Sequence, residues 1–313
     1  MKKIIFILLF IATLFAQDLS NLDPTFHHYS ARATGMGNAY TAMQEAPLSI
    51  FYNPAGILSD RQNIAFSNTN FLNLISYNYF GYSQNLGKDF TGALGITYSG
   101  DNAFQEYAIY ASFAKKFDFY SDLIGGINVK YLGASFGGND HGELIDDEGY
   151  NHQVDGFANG FGIDFGVQYE LDKFNRLGAF WRNPLNFIFW HSENEVETAL
   201  GDYEEGQPSN LIFGYAFSNN NFSGAIDFNK SYHSDTEDIF AIGGEYHIYQ
   251  KMMAMRCGYS QEILTAKNRK YSFGLGFNFK AWQAKKCNLD ISYEVQTEWQ
   301  KHNAFKISCG LQL

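Results

Sequence analysis

Four residues of the types that carry hydrolytic chemistry could be proposed as catalytic partners, namely His247, Ser260, Asp290 and Ser308. A serine hydrolase needs a nucleophile, a histidine base and a carboxylate that orients the base. None of the four lies in a GxSxG motif or a comparable local signature. We therefore expect that the protein is not an enzyme and has no catalytic residues.

An acidic stretch at residues 137–159 is the second candidate for chemistry, because carboxylate clusters bind calcium. Its spacing does not match an EF-hand loop, and His27, His28 and His247 lack the paired spacing of a zinc motif. We expect no metal and no other cofactor, and we interpret the stretch as a solvated loop. Its acidic residues and histidines are Asp140, His141, Glu143, Asp146, Asp147, Glu148, His152 and Asp155.

Composition and charge restrict the class of protein. The 313 residues include 30 Phe, 21 Tyr and 30 Gly but only 5 Pro, which favours strands and turns over helices. The formal net charge of -11 argues against nucleic acid as a partner. Cys257, Cys287 and Cys309 form an odd set without CxxC spacing, so we interpret them as apolar wall residues, with one disulfide as the alternative.

The first sixteen residues, MKKIIFILLFIATLFA, have the pattern of a cleaved secretory signal peptide. Two lysines precede an apolar stretch that is too short for a comfortable helical span, and a small residue, Ala16, ends it. No stretch of about 18 uncharged apolar residues follows, so any crossing of a membrane must be made by strands.

From residue 62 onward the chain breaks into alternating segments of about ten residues, separated by Gly, Asn, Asp and Lys. In residues 160–171 every odd position is apolar and every even one is Gly, Asp, Gln or Glu, so one face of a strand is oily and aromatic. An even number of antiparallel segments predicts a fourteen-stranded transmembrane β-barrel. The segments lie near residues 63–71, 73–86, 91–99, 105–116, 123–136, 160–171, 175–183, 209–217, 221–229, 238–249, 252–260, 270–279, 287–297 and 303–313.

The positions of the charged residues favour a barrel in a membrane over a soluble fold. A charge on the lipid face costs a few kcal/mol near the midplane, whereas a charge in the lumen stays hydrated. Ten charged residues take the parity opposite the apolar row of their strand, so we predict that they face the lumen. They are Glu106, Lys130, Asp164, Glu170, Asp227, Glu245, Arg256, Asp290, Glu294 and Lys306.

Two soluble folds are the alternatives to the membrane barrel. A β-sandwich or a soluble barrel also alternates, but neither usually places so much Tyr and Phe along so many long strands. The longer polar stretches, residues 137–159 and 184–208, are the expected extracellular loops.

Residues 27–58 alternate poorly and are too apolar for an exposed tail, so they need an interior in which to pack. We expect one short helix that starts at Thr34 or Asn38, and a second one over residues 46–52 that ends before Pro54. Glycines at 35 and 37 allow close backbone approach. The sequence thus predicts a plug inside the barrel mouth.

The run ARATGMGNAYTAMQEAPLSIFYNPAGI resembles the N-terminal signature of the FadL-like superfamily of fourteen-stranded outer-membrane barrels, and most closely its PorV/PorQ branch. In that superfamily the segment forms a hatch in the lumen. With the signal peptide at 1–16, the resemblance therefore implies a hatch at 17–61 and a barrel at 62–313. It also implies that these residues form the hatch motif: Gly35, Met36, Gly37, Asn38, Ala39, Asn53, Pro54, Ala55 and Gly56.

The resemblance implies two functions in the outer membrane. PorV-type members serve type IX secretion, with secreted cargo proteins and other secretion components as partners. FadL-type members take up small hydrophobic compounds. Neither long polar stretch has the oily character of an external capture site, so the sequence favours the secretion function, with hydrophobic transport as the alternative. A passive porin is a third alternative. The membrane lipid is a partner in each.

Overall fold

The computed structural model describes residues 29–71, 75–101, 103–117, 120–137, 153–194, 201–232, 237–249, 251–264, 268–281, 285–297 and 303–313. The predicted signal peptide and most of the acidic stretch lie outside the described residues. No helix of the described residues is long and apolar enough to cross a membrane.

The described chain consists of three short helical elements followed by fifteen strands. Helix α1 spans Ala31–Gly35, and two 3₁₀ helices span Leu48–Phe51 and Pro54–Ile57. The strands are β1 Asn63–Phe71, β2 Ile75–Gly87, β3 Phe90–Gly100, β4 Phe104–Phe117, β5 Tyr120–Phe136, β6 Asp155–Glu170, β7 Asn175–Glu193, β8 Tyr203–Glu205, β9 Asn210–Ser218, β10 Phe222–Ser231, β11 Ile239–Ile248, β12 Met253–Glu262, β13 Lys270–Ala281, β14 Lys285–Gln296 and β15 Ala304–Gln312.

Fourteen of the strands form one closed antiparallel ring, which confirms the predicted fold class. Each strand pairs with its neighbour in the chain, and β1 pairs with β15, so that Asn63 lies opposite Gln312 and Phe71 opposite Ala304. The additional strand β8 has only three residues and pairs with the far end of β7. Closure leaves no unpaired edge along the ring, which is what a sheet in a bilayer requires.

The outer surface of the ring is apolar, and the inner surface is small and polar. In β3, for example, Ala93 and Thr97 are buried, whereas Leu94 and Ile96 are 61% and 50% exposed. This alternation repeats around the ring and leaves an extensive aromatic and aliphatic exterior. A band of this size is not tolerated on a soluble monomer and matches the lipid-facing surface of a membrane barrel.

The two ends of the barrel differ. One end, here called the terminus end, carries the start of β1, the end of β15 and the turns at residues 88–89, 171–174 and 219–221. The opposite end, here called the loop end, carries the connections between β5 and β6 and between β7 and β9. Both predicted long loops lie at the loop end, but their bounds were wrong, since β6 begins at Asp155 and β7 continues to Glu193.

Strand β7 passes through Pro184, where the sequence predicted its end. The proline is accommodated by a bulge, since the register with β6 shifts between the pair Ile163–Leu185 and the pair Phe165–Trp181. Asn183 adopts a positive φ of 52° there. A bulge releases the proline nitrogen from the ladder, so the strand can resume in the same alternation.

The helices at the N-terminus differ from the predicted ones in position. Helix α1 begins before Thr34, because the Ser30 side chain caps it by accepting from the N–H of Ala33. Pro54 does not only terminate a helix. It opens the second 3₁₀ helix, where its missing N–H is not needed.

Candidate functional site

The described part of the hatch, residues 29–58, is almost wholly buried inside the ring. Helix α1 packs against β12–β15, whereas the 3₁₀ helix Pro54–Ile57 packs against β3–β6 on the other side. The rings of Tyr29, Phe51, Tyr79 and Tyr110 pack between hatch and wall in tilted and edge-to-face pairs, at centroid distances of 4.6 to 5.9 Å. The hatch therefore spans the lumen from wall to wall.

The Asn53 side chain stabilises the turn formed by Asn53, Pro54 and Ala55. Its side-chain oxygen accepts from the N–H of Ala55 at 3.0 Å, and its amide nitrogen donates to the carbonyls of Thr41 and Val167 at 2.9 and 3.0 Å. One amide thus closes the turn, ties it to an earlier part of the hatch and fixes it to β6. No other side chain of this length offers both a donor and an acceptor except Asp in its protonated form.

Polar side chains of the wall satisfy the backbone carbonyls of the hatch. Asn128 donates to the carbonyl of Ile50 at 2.8 Å, and Arg182 to that of Phe51 at 2.8 Å. Gln168 donates to Thr41 and Met43 at 3.0 and 2.8 Å. Irregular backbone can be buried only when its polar groups are paired, so these side chains make an irregular hatch tolerable.

Asp227 supports the hatch from the opposite wall. The backbone N–H groups of Tyr40 and Thr41 donate to its Oδ2 at 2.8 and 2.9 Å. A carboxylate that accepts two N–H groups makes charge-assisted hydrogen bonds, which are stronger than neutral ones. The sequence predicted Asp227 as lumen-facing, and in the structure it is buried against the hatch.

A chain of four charged residues links α1 to three strands. Arg32 makes a two-pronged contact with Glu245, with Nε at 2.9 Å from Oε2 and Nη2 at 2.7 Å from Oε1. Arg256 contacts Glu245 Oε2 at 2.6 Å and Asp290 Oδ1 at 2.7 Å. The side chain of Glu245 is fully buried. Two arginines thus alternate with two carboxylates, and their charges balance.

Four other predicted lumen charges occupy two kinds of position. Lys130 and Asp164 form a buried ion pair at 2.8 Å beside the β7 bulge, where the N–H of Asn183 also donates to Asp164. Glu294 accepts from Asn38 at 3.3 Å and Lys306 donates to Thr34 at 3.0 Å, so both contact the hatch.

Two members of the predicted set lie near the two ends of the barrel. Glu170 pairs near the terminus end with Lys116 and Arg176, at 2.5 and 2.9 Å. Glu106 accepts from Ser99 at 3.5 Å near the loop end.

The predicted motif glycines lie where backbone meets backbone. Gly37 has a φ of 66°, and a Cβ there would lie 2.6 Å from the nitrogen of Tyr259. The wall also has glycines at this contact. A Cβ at Gly243 would overlap the carbonyl of Met36, and one at Gly258 would overlap the nitrogen of Gly37. Hatch and wall are thus in direct main-chain contact.

We predict that Gly243→Ala destabilises the protein by about 1 to 3 kcal/mol, the usual cost of overpacking a rigid site. The neighbouring Gly244→Ala is the matched control, because a Cβ at that position makes only ordinary contacts of 3.4 Å or more. Urea unfolding of both variants in detergent measures the difference. Equal stabilities would show that the hatch does not press on the wall at this point.

Two cavities flank the hatch. One, of about 260 Å³, lies toward the loop end and is lined by Asn38, Thr41, Arg182, Asp227 and further polar residues. The other, of about 920 Å³, opens at the terminus end beneath Arg32 and Glu45. Because different hatch residues line the two cavities, the hatch separates them.

The four residues of hydrolytic type are not brought together. His247 and Asp290 line the cavity at the terminus end, whereas Ser260 lines the one at the loop end. Ser308 accepts from the N–H of Ala31 at 3.2 Å. Within the described ranges no group of His, Cys, Asp and Glu could hold a metal ion, and the three cysteines are free thiols.

Arg32 and Gln168 are the main site residues that sequence reasoning missed. Gln168 stood on the polar face of the clearest alternating segment, so its parity could have indicated a lumen position. Arg32 lies in the irregular segment, where no periodicity predicts which side chain will meet a wall residue 213 positions away.

Solved structures of other proteins share the fold of this chain. No protein family model matches the chain, and no curated protein matches it. Among solved structures, the chain is similar to the CymD monoaromatic hydrocarbon channel, with a TM-score of 0.59, 14% identity and coverage of 92% of this chain and 97% of CymD.

Two further structures share the architecture. The Pseudomonas putida toluene transporter TodX has a TM-score of 0.58 at 15% identity, with 95% of this chain and 99% of TodX covered. A Pseudomonas aeruginosa FadL homologue has a TM-score of 0.51 at 11% identity, with 94% and 98% covered. The chain thus has the fold of the FadL- and TodX-like fourteen-stranded barrels.

Proposed function

We propose that the protein is an outer-membrane transporter that admits small hydrophobic compounds. The observation that carries this proposal is the similarity over nearly the whole length of both chains to a toluene transporter and a monoaromatic hydrocarbon channel. These neighbours are channels and transporters rather than enzymes, which agrees with the scattered hydrolytic residues.

The architecture supports this assignment physically. The apolar exterior suits a bilayer, and closed barrels of this kind are typical of the outer membrane. There the terminus end faces the periplasm and the loop end the exterior. The hatch keeps ions from flowing freely, while the two cavities give a solute a place to rest on each side of it.

Type IX secretion, with cargo proteins and secretion components as partners, is the second candidate. It rests on the PorV/PorQ-like run that contains the Asn53–Gly56 turn. The structural similarity supports the transporter, because the similar proteins are a hydrocarbon channel and a toluene transporter and not secretion components.

Deletion of the protein from its host separates the two candidates. We expect the uptake of labelled toluene to fall while the set of proteins on the cell surface stays the same, and we expect expression of the full chain to restore uptake. The reverse result, lost surface proteins with unchanged uptake, would replace the transporter with the secretion function.

A further inference from the structure

The terminus-end cavity carries a cluster of lysines that no carboxylate balances. Lys251, Lys280 and Lys286 line this cavity and are exposed in it. No carboxylate of the described residues lies within ion-pair distance of these three ammonium groups. Three unbalanced positive charges are unexpected in a chain with a net charge of -11.

Two of the lysines are held against each other by the sheet register. Lys280 on β13 lies directly opposite Lys286 on β14. Both follow the parity of buried inner-face residues, Ser272 and Asp290, so both face the lumen. Like charges directly opposite on one face of a sheet repel, so the pair costs stability unless an anion bridges it.

The acids nearest to the cavity do not relieve this repulsion. Glu245 and Asp290 are already paired with the arginines Arg32 and Arg256. Burial raises the pKa of the third acid, Glu45, whose Oε2 accepts from the Ser30 hydroxyl at 2.7 Å. The arginines thus pair with the carboxylates beside the hatch, and the lysines remain available to bind an anion.

The sequence supports this separation of charge. Between residues 263 and 289, which include β13 and the start of β14, there is no Asp or Glu but there are five Lys and one Arg. A cavity with positive charge at its mouth concentrates anions. Its volume of about 920 Å³ leaves room for an apolar body beside the charged group.

We propose that Lys280 and Lys286 bind the anionic headgroup, a carboxylate or a phosphate, of a small amphipathic molecule in the periplasmic cavity. This inference rests on the proposed transport function and adds a substrate class to it. Among the transported compounds, those that carry a negative group are then received by the lysine pair after the hatch, whereas neutral ones such as toluene pass without it.

Calorimetry on the full chain in a neutral detergent tests the site with benzoate, phenyl phosphate and the neutral benzyl alcohol. We expect both anions to bind about tenfold more tightly than the alcohol, since each exposed ion pair contributes up to a factor of about five. The double variant Lys280→Gln, Lys286→Gln should lose this preference. The control Lys88→Gln, Lys173→Gln removes the same charge from exposed turns at the same end and should keep it. Equal binding of anions and alcohol, or a preference retained in the first double variant, would overturn the proposal.

An experiment in nanodiscs distinguishes the two sources of the anion, a lipid headgroup and a free solute. Displacement of benzoate by phosphatidylglycerol, relative to phosphatidylcholine, assigns the site to a lipid headgroup, and unchanged binding assigns it to a solute. Uptake of labelled toluene by cells keeps the two proposals apart. Normal uptake without anion preference overturns the lysine site alone, whereas absent uptake of toluene and benzoate overturns the transport function.

Discussion

Deletion of residues 29–58 is expected to turn a poorly conducting barrel into an open pore, with a conductance at least about tenfold higher in planar bilayers. The hatch spans the lumen from β12–β15 to β3–β6 and separates the two cavities. Barrel diameter grows with the number of strands, and an eight-stranded barrel is just wide enough for side chains to fill its interior. A ring of fourteen strands without the hatch is therefore wide enough to hold water.

The deleted barrel must be shown to fold. A heat-dependent shift in gel migration reports a closed barrel, and a second variant replaces the hatch by a Gly-Ser chain of equal length. If both variants migrate as folded barrels and conduct no better than the full chain, the hatch does not close the lumen.

The second large effect concerns the charge chain. Glu245→Ala should destabilise the protein by about 3 to 5 kcal/mol, because it leaves the buried Arg256 and the partly exposed Arg32 beside each other without their shared carboxylate. Urea unfolding measures the change. Glu204→Ala, which removes an exposed carboxylate from β8, is the matched control and should change stability by less than about 0.5 kcal/mol.

A double-mutant cycle shows whether the effect belongs to the pair. Arg32→Ala combined with Glu245→Ala should cost less than the sum of the two single variants, since the second change removes a charge that the first had stranded. Strict additivity would mean that Arg32 and Glu245 do not depend on each other, and that the hatch is held by other contacts.

The barrel could be predicted from sequence because the alternation within each strand indicates which of its side chains face the lipid. In residues 160–171 the period of two separates the lipid face from the lumen face without knowledge of any neighbour. The same parity predicted a lumen position for Asp227 and Glu245, which the structure buries against the hatch. Local pattern is enough when one face must be apolar.

The parts that could not be predicted depend on contacts between distant residues. The continuation of β7 through Pro184 requires a bulge whose N–H bonds to Asp164, and a proline alone predicts a strand end. The start of α1 was misplaced because Ser30 supplies the cap while the apolar run around it has no helical period.

The function of the hatch motif lies between these cases. Its glycines indicated close backbone approach, and the structure identifies the partners as Gly243 and Gly258 of the wall. The polar anchors Asn128 and Gln168 are ordinary inward residues by pattern. Only the irregular backbone that they contact gives them a role.

The initial rate of labelled toluene uptake by intact cells tests the central claim most directly. The host should lack its own transporters of this class and have a lipopolysaccharide outer leaflet, because phospholipid alone does not retard so apolar a molecule. The account predicts faster uptake when the full chain is expressed, while the purified full chain conducts ions poorly in planar bilayers. Uptake equal to that of the empty host, with the barrel folded in the outer membrane, would contradict it.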